Sequence, residues 1–224
     1  MNDVVFLLDV DETLLNNDAV IDDLKRCLVE TVGARGKERY WALFEQLWDE
    51  LGYADYLGAL QRYRLESTGP VQLLGVASYL LHYPFSTRLY PGALETIAAL
   101  KPHGRVVILS DGDAVQQPNK IERSGLLDAV DGDVLIYIHK EEMLDDIERR
   151  YPARQYVMVD DKLRILTAIK AIWRERVTTV FVRQGHYALD PAIVATYPPA
   201  DISIEEIADL QSQDWSASRH ASQG

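Results

Sequence analysis

Five short runs of mostly apolar, branched residues limit this chain to few architectures: Val4–Leu8, Arg105–Leu109, Val134–Ile138, Gln155–Val159 and Thr178–Val182. Runs of that length with little polar alternation read as strands of a parallel sheet covered on both faces. Helical patterns alternate with them after residue 90: Leu94, Ile97 and Ala98 share one helical face before the second run, and Leu166, Ile169 and Trp173 share one before the fifth. Strands alternating with helices imply βαβ units, hence an α/β fold with a doubly wound parallel sheet.

The residues that follow each run carry the chemistry. The first run leads into Asp9-Val10-Asp11-Glu12-Thr13, the second into Ser110-Asp111-Gly112-Asp113, the third into His139-Lys140 and the fourth into Asp160-Asp161. Open α/β sheets bind ligands beyond the carboxyl ends of their strands, so these groups converge on one volume. Asp9, Asp11, Asp160 and Asp161 repel one another there unless a cation sits among them. Carboxylate oxygens are hard ligands, which favours magnesium or calcium, and no Cys or His cluster points to zinc. A lysine (Lys140) and a hydroxyl (Ser110) beside such a cation suit a phosphoryl group, whose transfer relies on positioning and charge stabilisation. Asp9 is then a covalent nucleophile, and Asp11, two residues on, a general acid and base.

Residues 16–88 contain no convincing strand. Leu24, Cys27 and Leu28 lie at helical spacing, as do Tyr40, Leu43, Phe44, Leu47 and Trp48, then Tyr56, Leu60 and Tyr63, and Pro70 opens a further helix ending near Pro84. This reads as an all-helical insertion whose aromatic stripes form its own core. Gln211 to Gly224 is polar and reads as a frayed tail.

Composition narrows the partners. A net charge of −12 over 224 residues disfavours nucleic acid and anionic membranes, though not an anionic substrate screened by a bound cation. Cys27 is the one cysteine, and the opening apolar run stops at Asp9 with no basic segment before it, so a soluble, cytoplasmic protein is expected.

These motifs, in this order, resemble the haloacid dehalogenase superfamily of hydrolases from Val4 to about Ala188. Its first motif, a strand followed by Asp-x-Asp-x-Thr, is matched by Asp9, Asp11 and Thr13; its second by Ser110; its lysine by Lys140; its final acids by Asp160 and Asp161. The resemblance implies strand order 5-4-1-2-3 and a Mg2+-dependent phosphatase of small phosphorylated metabolites, with an aspartyl-phosphate formed on Asp9. It implies a core of residues 1–15 and 89–212, a helical cap of 16–88 and a tail of 213–224. Asp9, Ser110, Asp111 and Lys140 are expected to bind phosphate, and Asp9, Asp11 (through its carbonyl), Asp160 and Asp161 the metal. Three departures stand out: Glu12 replaces the usual glycine, Lys140 is followed by Glu141 rather than proline, and no later acid follows Asp161. Lys120 is a rival for the lysine role. Phosphomutase and dehalogenase chemistry, or a non-catalytic phospho-accepting domain, are the alternatives. A phospho-accepting receiver domain orders its acids differently and lacks the helical insertion.

Overall fold

The computed structural model describes residues 2–66 and 70–215. Its six strands are β1 (Asn2–Leu8), β2 (Arg105–Asp111), β3 (Val134–Tyr137), β4 (Ala153–Asp160), β5 (Val177–Val182) and β6 (Ile202–Ile204). All pair in parallel, in the order β3-β2-β1-β4-β5-β6. The five sequence runs are the first five strands in the expected order, and β6 adds an edge that the sequence did not announce. It is only Ile-Ser-Ile, flanked by acids. Its place beside β5 is fixed by the Asp201 carboxylate, which accepts from the Thr179 amide at 2.8 Å, the Thr179 hydroxyl at 3.0 Å and Lys170 Nζ at 2.8 Å.

Alternation along β1 divides the core. Val4, Phe6 and Leu8 pack on one face with helix α4 (Ala93–Leu100), α5 (Gln116–Arg123) and α6 (Leu126–Ala129), and Val5 and Leu7 pack on the other with α7 (Leu144–Arg150) and α8 (Leu163–Trp173). Successive crossovers place β2 and β3 on one side of β1 and β4 on the other. The sheet reverses at β1, so a crevice opens at its carboxyl end.

The insertion consists of α1 (Asn17–Leu51), α2 (Tyr56–Glu66) and α3 (Pro70–His82). Gly33, at φ 77° and ψ 169°, breaks α1, a conformation that favours glycine. The aromatic stripes do pack on one another: Phe44 stacks on Tyr56 at 4.7 Å, and buried Tyr40 donates to the Tyr56 carbonyl at 2.7 Å. The insertion leaves and rejoins the sheet through two adjacent segments, where Leu15 bridges Leu89 and the Tyr90 amide donates to the Leu14 carbonyl at 2.9 Å.

The expectation of a frayed tail from Gln211 is corrected for its first residues. Ile207–Ser212 forms a 3-10 helix, and Trp215 is only 4% exposed, with its ring edge-on to Phe6 at 5.2 Å. One aromatic residue in a polar segment has no periodicity to betray it, yet it seals the end of the core under β1. The remainder of that segment, residues 216–224, lies outside the described residues. No described helix is long and apolar enough to cross a membrane.

Candidate active site

Asp9 continues the ladder of β1, its amide donating to the Val159 carbonyl at 3.0 Å. The chain then turns tightly on the Val10 carbonyl, which accepts from Leu14 and Leu15 at 2.9 Å each. This turn places Glu12 at φ 61°, the left-handed region where the superfamily motif has glycine. The strain is offset by side-chain anchoring: Glu12 accepts from the Asp18 amide at 2.5 Å and the Tyr90 hydroxyl at 2.7 Å. Burial nevertheless pushes the Glu12 carboxyl up, with the Tyr90 hydrogen bond opposing. Gly185 lies so close that a Cβ there would fall 2.4 Å from Glu12 Cγ.

Lys140 stands in a 3-10 turn beyond β3 and points back under the sheet edge. Its Nζ lies 2.5 Å from Asp9 Oδ1, 2.7 Å from Asp160 Oδ2 and 3.3 Å from the Leu109 carbonyl. Burial disfavours the ammonium, but Asp160, Asp9 and Asp111 outweigh that and hold it above the usual lysine value. Asp111 acts on this turn directly, its Oδ1 accepting from the Lys140 amide at 2.8 Å. For Asp9, burial is the larger effect: it pushes the carboxyl up to about 7, with Lys140 opposing and Asp160 adding to the rise. Asp161 is driven up by burial as well, against the pull of Lys162.

Asp11 sits apart from this cluster. Its Oδ1 accepts from Lys120 Nζ at 2.6 Å and its Oδ2 from Gln117 Nε2 at 3.3 Å. The same Gln117 nitrogen reaches Ser110 Oγ at 2.8 Å, so one amide on α5 ties together the second-strand hydroxyl and the Asp11 carboxylate. Lys120 also donates to Asn17 Oδ1 at 3.0 Å, linking α5 to the start of α1. The two candidate lysines thus serve different carboxylates: Lys140 meets Asp9 and Asp160, and Lys120 meets Asp11.

The donor set fits a divalent cation. Asp9, Asp160 and Asp161 are buried, and one oxygen from each lies within 4.8 Å of the others. Asp9 Oδ2 and both oxygens of Asp161 are buried with no hydrogen-bond partner. Unpartnered buried carboxylate oxygens are costly, and a hard cation satisfies them. The Asp11 carboxylate is not in that group. Gln117, Asn17 and Lys162 escaped sequence reasoning. Gln117 lies on α5, where sequence alone gave no reason to aim it at Ser110. Lys162 follows the final acids where the sequence offers no further carboxylate, and its ammonium, which burial disfavours, is held above the usual lysine value by Asp161 and Asp9.

Residues 4–172 match the family model of haloacid dehalogenase-like hydrolases, and the chain belongs to that family. A solved haloacid dehalogenase-like protein from Burkholderia xenovorans LB400 is 58% identical, with a TM-score of 0.89 over 95% of this chain and 99% of that one. The L-2-haloacid dehalogenase of Xanthobacter autotrophicus shares the fold at 17% identity, with a TM-score of 0.60 over 95% and 98% of the two chains. So does the magnesium-bound hydrolase YfnB of Bacillus subtilis, at 16% identity and a TM-score of 0.60 over 94% and 97%. A search of curated proteins gave no match.

Proposed function

We propose that this hydrolase cleaves small phosphate monoesters with the help of Mg2+, through an aspartyl-phosphate on Asp9. The observation that carries the reading is the buried trio Asp9, Asp160 and Asp161, with unpartnered oxygens, set against the ammonium of Lys140. Bound there by those three residues, the cation would supply charge stabilisation for the phosphoryl oxygens. An Asp9 oxygen attacks phosphorus and the bond to the ester oxygen breaks. Lys140 and the Ser110 hydroxyl hold the phosphoryl oxygens while Asp11 gives a proton to the departing alkoxide. Asp11 then takes a proton from the water that cleaves the acyl phosphate, which frees phosphate and restores Asp9. Lys120 and Gln117 fix the carboxylate that makes both transfers. The α1–α3 layer acts as a cap over the site, excluding water while the ester is bound.

Dehalogenation is the second reading, because solved L-2-haloacid dehalogenases share the fold. Displacement at carbon needs neither a second aspartate nor a cation, so it leaves Asp11 and the Asp160–Asp161 pair without a role. The deciding experiment measures phosphate release from p-nitrophenyl phosphate and halide release from 2-chloropropionate, each with Mg2+ and with excess EDTA. Phosphate release that EDTA abolishes is expected. Halide release indifferent to EDTA, with no phosphate release, would overturn the proposal.

A further inference from the structure

One buried carboxylate grips both segments that join the helical layer to the sheet. Glu12, only 3% exposed, follows Asp11 directly. Its Oε1 accepts from the Asp18 amide at 2.5 Å, in the first turn of α1, where the chain enters the layer. Its Oε2 accepts from the Tyr90 hydroxyl at 2.7 Å, on the segment by which the chain returns. The two segments also bond to each other, the Asn16 amide donating to the Arg88 carbonyl at 2.8 Å. Asp18 extends the grip: its carboxylate accepts from the His186 amide at 3.1 Å and meets His186 Nδ1 at 2.6 Å, in the short helix Gly185–Leu189 after β5.

Asp11 is tied to the same helical turn. Lys120 donates to the Asp11 carboxylate and to Asn17, the residue before Asp18. Adjacent residues of the turn after β1 are therefore bound to adjacent residues of α1, Asp11 to Asn17 through Lys120 and Glu12 to Asp18 directly. Either tie alone leaves a pivot, and the two together fix how that turn sits against α1. The backbone makes the Glu12 tie matter. At φ 61° any residue other than glycine is disfavoured, so without its two hydrogen bonds residue 12 would relax towards negative φ. That rotation would swing the peptide that it shares with Asp11.

On the phosphatase reading, we propose that Glu12 is a positioning residue: its hydrogen bonds to Asp18 and Tyr90 hold the Asp11 carboxylate in line for both proton transfers and register α1 against the turn that carries it. It acts through Asp11 and not on the ester. The role asks for two contacts of the right reach rather than for a charge. A glutamine keeps both, its carbonyl accepting from the Asp18 amide and its amide donating to the Tyr90 oxygen. The glycine of the superfamily motif suits the turn but makes neither contact.

The test measures kcat in Glu12→Gln, Glu12→Ala and Glu12→Gly with two esters: benzyl phosphate, whose alkoxide needs a proton on leaving, and p-nitrophenyl phosphate, whose leaving group does not. Glu12→Gln is expected to stay near the wild-type rate with both. Glu12→Ala and Glu12→Gly are expected to lose about a hundredfold with benzyl phosphate, as misplacement by an ångström does, and far less with p-nitrophenyl phosphate. Glu12→Gly, relieved of strain at residue 12, should also melt above Glu12→Ala, so a shared loss of rate separates positioning from stability. Hydrogen exchange followed by NMR gives a readout independent of turnover. The Asp18 and His186 amides are expected to exchange faster in Glu12→Gly but not in Glu12→Gln, while amides of β1 and β4 keep wild-type protection. If the wild type hydrolyses no ester and those two amides still loosen in Glu12→Gly alone, the grip of Glu12 on α1 stands and the phosphatase reading falls. If Glu12→Gly hydrolyses benzyl phosphate like wild type, if the losses are equal for the two esters, or if the Asp18 amide exchanges as in wild type, the positioning role is overturned.

Discussion

Asp9→Asn is expected to lower kcat by roughly four orders of magnitude or more, as removal of a covalent nucleophile does. The same substitution should leave the fold intact, and its stability effect has a definite sign. Burial raises the Asp9 carboxyl to about 7 in the folded, metal-free protein, far above its ordinary value. A carboxyl with a raised folded pKa contributes stability at low pH, and that contribution is lost as pH rises through the folded value. At pH 8 in EDTA the wild-type protein therefore carries an ionised, buried Asp9 that the amide variant lacks. The variant should melt no lower than wild type at pH 8, and its relative advantage should fade towards pH 5. Thermal melts at the two pH values check this. A variant that melts well below wild type at pH 8 would mean that the Asp9–Lys140 pair outweighs the burial of the carboxylate.

The parts of this site that were legible in sequence are those fixed by strand ends. Asp9, Ser110 and Asp160 terminate buried parallel strands, so once the strands are recognised their convergence follows from the fold. What sequence could not give is how side chains from helices enter the same volume. Lys120 and Lys140 were rivals because Lys140, which directly follows a strand, lacks the proline of the superfamily motif, while Lys120 lies in an amphipathic helical pattern. Only the three-dimensional course of α5 and of the turn after β3 assigns one to Asp11 and the other to Asp9. The aromatic stripes of the insertion were legible because helical spacing puts them on one face: Phe44 and Tyr56 stack inside the layer, and Leu43, Leu47 and Leu60 pack with them. Trp215 and β6 were missed because a lone aromatic and a three-residue edge strand carry no period at all.

The largest stability effect is expected at Lys140. Its ammonium is 1% exposed and lies against Asp9 and Asp160, and its amide is held by Asp111. Lys140→Ala leaves those carboxylates buried without their cation, a loss of about 3–5 kcal/mol for removing one partner of a buried pair. The defect should grow with rising pH. Without the ammonium that opposes its rise, the Asp9 carboxyl resists ionisation still more, so its folded pKa moves further above the unfolded one, and stability falls as pH climbs through that window. Added Mg2+ should recover part of the melting temperature by supplying charge to Asp9, Asp160 and Asp161, while turnover stays low because the phosphoryl oxygens have lost their lysine. Lys120→Ala makes the contrast. The Asp11 side chain is 25% exposed, so water can solvate it when its partner is removed, and the stability loss should be smaller and less dependent on pH. Its kinetic defect should appear in kcat through misplacement of Asp11, and phosphate release from substrates with good leaving groups should suffer least, since these need no proton on departure. Equal pH-dependent destabilisation in both variants, or loss of turnover in Lys120→Ala alone, would reverse the roles given to the two lysines.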